Sequence, residues 1–251
     1  MTDKIKVRIS SFVANILEND ALRFGFTKND KANKNALLNI LIPTLVEVRK
    51  ARRAEIEDIL KNEYCRADGE SIYNAVNTVI DKVYFSDAEL NVLDECVWIR
   101  PSKETACVYD EIATSEVFLT AQDVSVYIRG LLNEYSRFPQ YKREMFVFDK
   151  ELDVFSDACV TQQILHFKDR ETGKRYKAFA FNYYYGYLYD QTNYCVIYDI
   201  NESKIESIPL SSMRDIYAIK QKYKPSDGLI GLLQEYFDNC DFENEIKVGE
   251  V

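Results

Sequence analysis

The sequence predicts an α+β chain: a strand followed by two helices, then a helical connector, a small β-barrel and a short helical C-terminal segment. Three observations predict it. Lys4 to Ser10 alternates between basic and apolar side chains, the period of a half-buried strand. Apolar residues then recur at helical spacing, as in Ala36, Leu37, Ile40, Leu41, Leu45 and Val48. From Arg137 onward the texture changes to short strand-like runs separated by polar turns. The parts fall at residues 1–61, 62–136, 137–222 and 223–251.

In the first part, Ser10 or Ser11 suits the cap of a helix carrying Phe12, Ile16, Leu17 and Ala21, and Gly25 suits its end. Asn33 suits the cap of a second helix, in which Pro43 is expected to introduce a kink or a break. No second strand is evident nearby, so the N-terminal strand is expected to pair with its copy in a homodimer. In the connector, Ile72, Val76, Val79, Ile80 and Val83 make one helical stripe and Leu90, Leu93 and Val97 another. A further helix is expected over 123–136, after Asp123. In the third part, strands are expected at 164–168, 175–185, 194–199 and 204–208. Leu229 to Phe237 reads as a short helix with an apolar stripe, suited to docking or to a dimer contact.

The net charge of −9 is unevenly spread. Residues 1–60 carry +3, 61–135 carry −8, 136–222 carry +1 and 223–251 carry −5. Only the first and third segments are candidates for phosphate contact. No apolar run reaches the roughly 20 residues needed to cross a bilayer, and the N-terminus does not read as a signal peptide, so a cytoplasmic protein is expected. The six cysteines are scattered without a CxxC pair, which argues against a zinc site and for reduced, packed thiols. His166 is the only histidine, alternates with Leu165 and Phe167, and reads as a core or edge residue. Neither GxxxxGK[ST] nor GxGxxG occurs. With no nucleophile or carboxylate motif either, the expectation is a non-enzymatic protein without cofactor or metal.

The lone basic strand followed by two helices resembles the ribbon-helix-helix family. That resemblance implies a two-stranded ribbon facing DNA through Lys4, Lys6 and Arg8. It also implies a phosphate at the start of the second helix, near Asn33 and Lys34. Gly173 to Tyr176, Tyr183-Tyr184, Asn193 to Asp199 and Ile208 to Ile216 resemble a WYL domain, and Ser125 to Arg129 with Glu134 to Glu144 resembles its lead-in. Asn193-Tyr194-Cys195-Val196 stands where the family has its tryptophan–tyrosine–leucine triplet. Pro209 and Ser212 stand where its second motif has arginines. Arg214 is the nearest basic side chain, and on a strand it keeps the face of Ser212. The fold implied is an Sm-like, SH3-type barrel.

The combination resembles the WYL accessory proteins of type VI-D CRISPR systems, antiviral defence systems whose RNA-guided effectors cleave RNA. It implies a homodimer that binds single-stranded RNA and modulates the effector ribonuclease. Other WYL proteins are ligand-sensing transcription factors, which leaves a duplex-DNA regulator as the alternative.

The residues of the third part bear on RNA independently. Lys168, Arg170, Lys174, Arg175 and Lys177 cluster around one turn, amid Tyr183, Tyr185, Tyr187 and Tyr189 on one strand face and Tyr194 nearby. Basic side chains track phosphates, and exposed rings stack on unpaired bases at about 1–3 kcal/mol per base. The same tyrosines would serve equally as packed core, and the basic turn as a solvated one. Arg137, Lys142 and Arg143 form a second basic group, and Arg49, Arg52 and Arg53 a third, which is expected to pair with the acidic connector.

Overall fold

The structure, a computed structural model, describes residues 4–63, 71–72, 74–76, 92–114, 123–186 and 191–240. The chain divides into two compact units, Met1–Phe138 and Pro139–Val251.

The first unit opens with β1 (Ile5–Ile9) and α1 (Ser11–Arg23). Ser10 caps α1, its hydroxyl accepting from the Val13 amide at 3.3 Å, and Gly25 follows the helix at φ +68°. Between α1 and the next helix lies a small hairpin, β2 (Thr27–Lys28) and β3 (Lys31–Ala32). Asn29 and Asp30, both at positive φ, form its two-residue turn. Asn33 caps α2 (Lys34–Glu63), whose Ala36 amide donates to its side chain at 3.2 Å. α2 runs continuously past Pro43 rather than splitting in two.

β4 (Glu95–Ile99), α3 (Ala106–Thr114) and α4 (Val124–Arg137) complete the unit. The connector was expected to be helical here, with Leu90, Leu93 and Val97 as a stripe. Residues 77–91 lie outside the described residues, and Val97 lies in a strand. The expectation that β1 needs a second copy of the chain fails for the same reason. β4 pairs with β1 antiparallel, from Ile5 opposite Ile99 to Ile9 opposite Glu95. One face of this ribbon buries Val7, Ile9, Val97 and Ile99 against the helices. Asn35 and Asn39 of α2 fix the exit of β4. Asn35 accepts from the Arg100 amide at 2.7 Å, and Asn39 donates to the Arg100 carbonyl at 3.0 Å.

Leu17, Leu41, Ile128, Leu131 and Tyr135 are buried in the same core. The Tyr135 hydroxyl donates to the Asp20 carboxylate at 2.7 Å in this interior. Hydrogen bonds to charged partners stabilise by about 1.5–3 kcal/mol. Tyr135→Phe is therefore expected to lower unfolding stability by that amount in a denaturant titration.

The arginines of α2 turn inward, as the sequence suggested. Arg52 pairs with Glu134 of α4 and lies 5.5 Å from the Phe138 ring, while Arg49 is buried beside Tyr127. Burial raises the Glu134 carboxyl above its ordinary range, against the pull of Arg52 and Arg49.

The second unit begins with α5 (Gln140–Val147) and α6 (Asp149–Thr161). Met145 to Phe148, an apolar run in sequence, belongs to the end of α5 and the start of α6. Next come β5 (Gln163–Asp169), β6 (Arg175–Tyr185), β7 (Asn193–Asp199) and β8 (Lys204–Pro209). A 3-10 turn at Leu210–Ser212 leads to β9 (Met213–Lys222), and α7 (Asp227–Asn239) follows. All pairings are antiparallel, in the order β8-β7-β6-β5-β9.

The 3-10 turn carries the chain from one edge strand to the other, a barrel-like winding. The expected barrel does not close, however: β8 and β9 are the open edges of one sheet. Ser212 lies in the turn, not on a strand, and its hydroxyl donates to the Pro209 carbonyl at 2.8 Å. α6 packs on one face of the sheet, against β5, β6 and β9. α7 covers part of the other face, where Leu233 packs with Phe179 and Val196. Among the described residues no helix is long and apolar enough to cross a membrane.

Candidate nucleic-acid interface

Directly opposed residues on antiparallel strands share a face, with Cβ atoms roughly 5 Å apart. Lys168 on β5 stands opposite Arg175 on β6 and Arg214 on β9. His166, one pair further along β5, stands opposite Lys177 and Tyr217. Two rows of three residues thus tile one face, and α7 covers that face further along, over β6 to β8. Lys168, Arg175, Arg214 and Tyr217 are exposed, and Lys177 and His166 are half-buried. The His166 and Tyr217 rings stack 5.4 Å apart, within 10° of parallel. An open depression of about 270 Å³ lies here, lined by Lys168, Arg175, His166, Tyr217 and the exposed Asp215.

Local geometry explains the convergence. The β5–β6 turn is built on Asp169, whose carboxylate accepts from the Thr172 amide and hydroxyl, both at 2.6 Å, and from the Glu171 amide at 3.1 Å. Burial opposes ionisation of Asp169, but these hydrogen bonds outweigh it and hold the carboxyl below its usual value. Gly173, at φ +72°, closes the turn and sets Lys168 opposite Arg175. On β9, Arg214 and Tyr217 are three positions apart and would point to opposite faces of a regular strand. A bulge, with Asp215 at φ +53°, inserts the extra residue that puts both on one face.

Like charges opposed across strands are destabilising. A row of Arg175, Lys168 and Arg214 therefore carries a cost, and no described carboxylate forms an ion pair with any of the three. A polyanion lying across the row would remove that repulsion.

The other sequence candidates lie elsewhere. Lys174 leaves the basic face: its ammonium pairs with Asp199 at 3.0 Å and Glu202 at 2.8 Å, and sits 4.3 Å from the Tyr176 ring. Asp199 is fully buried. Burial works against the Lys174 charge, but Glu202 and Asp199 outweigh it and raise its pKa well above the ordinary lysine value. Arg170 donates to the Ser211 carbonyl at 3.1 Å, tying β5 to the 3-10 turn. Tyr183 and Tyr185 stand opposite the buried Cys195 and Asn193, on the face away from Lys168, and Tyr185 stacks on Tyr141 at 4.4 Å. Tyr187 and Tyr189 lie outside the described residues. Tyr194 stacks on Tyr184, which in turn meets Phe237 of α7 edge-on. Lys142 is exposed on α5 and Arg143 half-buried beside it.

In the first unit, Lys34 pairs with Glu18 at 2.9 Å, so its charge is compensated locally. Lys4, Lys6 and Arg8 are exposed along the ribbon. His166 and Tyr217 are the site residues that were not singled out for nucleic acid from the sequence, whereas Lys177 already stood in the basic cluster named there. The parity of Arg175 and Lys177 was readable; the face of Tyr217 was not, because it depends on the bulge.

Glu144 of α5 anchors the sheet from its other face. Its buried carboxylate accepts from the Asn193 amide at 2.7 Å, the Asn193 side chain at 2.8 Å and the Ser211 amide at 3.2 Å. Burial raises its pKa above the ordinary value, with the Asn193 and Ser211 hydrogen bonds pulling it back. A carboxyl raised on folding loses stabilisation as pH climbs from its unfolded value, about 4.3, through its folded one. Glu144→Gln does not titrate. Its deficit, about 1–2 kcal/mol at pH 4, is expected to shrink towards pH 7 when both proteins are unfolded in denaturant.

No protein-family model matches the chain, and no curated protein matches it. Among solved structures, it is similar to a crystal structure of a CRISPR Cas-related protein, with a TM-score of 0.63 at 11% sequence identity. The match covers 91% of this chain and 65% of that one, so the chain spans just under two thirds of its neighbour's length. At that identity the likeness is one of fold. Among the described residues, no group of three or more histidine, cysteine, aspartate or glutamate side chains is placed to hold a metal.

Proposed function

We propose that this chain is a non-enzymatic, single-stranded-RNA-binding accessory protein that modulates an RNA-guided CRISPR ribonuclease. The observation that carries the reading is the uncompensated row Arg175–Lys168–Arg214 beside the stacked His166–Tyr217 pair. Cations spaced across adjacent strands suit the phosphates of a flexible strand, and an exposed ring at their side suits an unpaired base. The likeness to a CRISPR Cas-related protein supports the setting. The chain does no chemistry in this reading; it delivers or holds RNA for the effector.

The alternative is a regulator that reads duplex DNA through Lys4, Lys6 and Arg8 on the ribbon. The test is binding of the purified protein to labelled oligouridylate and to duplex DNA across a salt series. Tighter, salt-sensitive binding to the single strand is expected. Preference for the duplex, or no binding to either, overturns the reading.

A further inference from the structure

The second face of the β1–β4 ribbon is unexplained by the site on the second unit. Val7, Ile9, Val97 and Ile99 take the buried face, so the paired positions left on the outer face are Lys6, Arg8, Cys96 and Trp98. Lys4 and Arg100 continue the same alternation at the ribbon's end, and both are exposed. No acidic residue falls at these six positions.

Trp98 is the only tryptophan of the chain and is 44% exposed. It stands directly opposite Lys6. The Lys4 ammonium lies 3.8 Å from its ring centroid and the Lys6 ammonium 5.3 Å. A large aromatic ring held in the open by a ladder that buries its neighbours is not serving the core of this unit. The ammonium groups lie over the ring and mark its surroundings as cationic, so a base stacking on the face that Lys4 covers displaces that exposed side chain towards the phosphates. The backbone holding the ring is fixed by Asn35 and Asn39.

We infer that the outer face of the ribbon is a second contact for single-stranded RNA, in which one base stacks on Trp98 while Lys4, Lys6, Arg8 and Arg100 meet the flanking phosphates. A stacked base extends a ring's apolar contact without hydrogen-bond readout, so this contact is indifferent to sequence. The strand partner is β4 of the same chain, so the face is complete in one copy. The inference rests on the reading of the protein as an RNA binder, and its test separates the two.

Because Trp98 is the sole tryptophan, its emission reports on the ribbon alone. Oligouridylate is titrated into the full chain while Trp98 emission and the anisotropy of labelled RNA are followed together. Saturable quenching is expected, with the same midpoint as the anisotropy. Trp98→Ala is expected to weaken binding about tenfold, the loss of one stacked base, and Trp98→Phe to recover part of it. Thermal melts of both variants establish that they fold. If RNA binds by anisotropy while Trp98 emission stays unchanged and Trp98→Ala binds as tightly as the parent, the ribbon contact is wrong and the second-unit site stands. If neither signal responds to RNA, the functional reading itself fails.

Discussion

Lys168→Glu is expected to weaken single-stranded RNA binding by about 10- to 100-fold while making the second unit more stable. The two effects have opposite signs because they have one cause. Lys168 stands between Arg175 and Arg214, so its charge is repelled from both sides when RNA is absent. A glutamate there would face two arginines, and opposed unlike charges contribute about 0.2–1 kcal/mol per pair relative to a neutral one. With RNA bound, the same glutamate would repel the phosphates that Lys168 attracts. Loss of a phosphate contact also lowers the salt dependence, by about 0.7 in the slope for a single strand. Thermal melting and anisotropy across a salt series read the two sides. A variant that loses binding and stability together would point to a structural role for Lys168.

Lys174→Met is expected to do the reverse: a large loss of stability with little change in RNA affinity. Sequence alone groups Lys174 with Arg175, but the structure separates them by function. Lys174 neutralises Asp199, which is fully buried at the end of β7, and braces Glu202 beyond it. Removing one partner of a buried pair leaves an uncompensated charge, at a cost of 3–5 kcal/mol where burial is complete. Lys174 itself keeps some solvent contact, its side chain 29% exposed, so about 2–4 kcal/mol is expected here. A change of that size lowers the melting temperature of a unit this small by about 10–20 °C. Salt has the converse use: a variant still folded at low temperature should bind oligouridylate with the parent's salt slope.

Four strands of the second unit, β5 to β8, were legible because their signals are local, whereas β9 (Met213–Lys222) was not among the expected strands. β5 to β8 each show alternation or an apolar run bounded by a turn, as at Asp169 to Lys174 and Asn201 to Ser203. β4 was not legible. Its alternation covers only Cys96 to Ile99, and Val97 falls equally well on a helical stripe with Leu90 and Leu93. What makes it a strand is pairing with β1, far away in sequence, and one sequence carries no record of that pairing. The expectation that β1 takes its ladder partner from a second copy followed directly, and β4 fills that place instead.

For the site, Lys168, Arg175 and Arg214 could be named from the sequence as basic residues near predicted strands. Their alignment in one row depends on two ladders and a bulge on β9. A separate irregularity on β6, between Ala180 and Asn182, moves Tyr183 and Tyr185 to the other face, while the β9 bulge brings Tyr217 beside His166. A bulge inverts face assignments downstream of it, so parity arguments from sequence hold only up to the first one.

Photocrosslinking of thiouridine-labelled single-stranded RNA to the intact chain, with the attached peptides mapped by mass spectrometry, tests the central claim most directly. Crosslinks are predicted on β9 around Tyr217 and on β5 around His166, lost when Lys168 and Arg175 are both changed to Glu. Crosslinks absent from β5, β6 and β9, or unaffected by that double change, would contradict it.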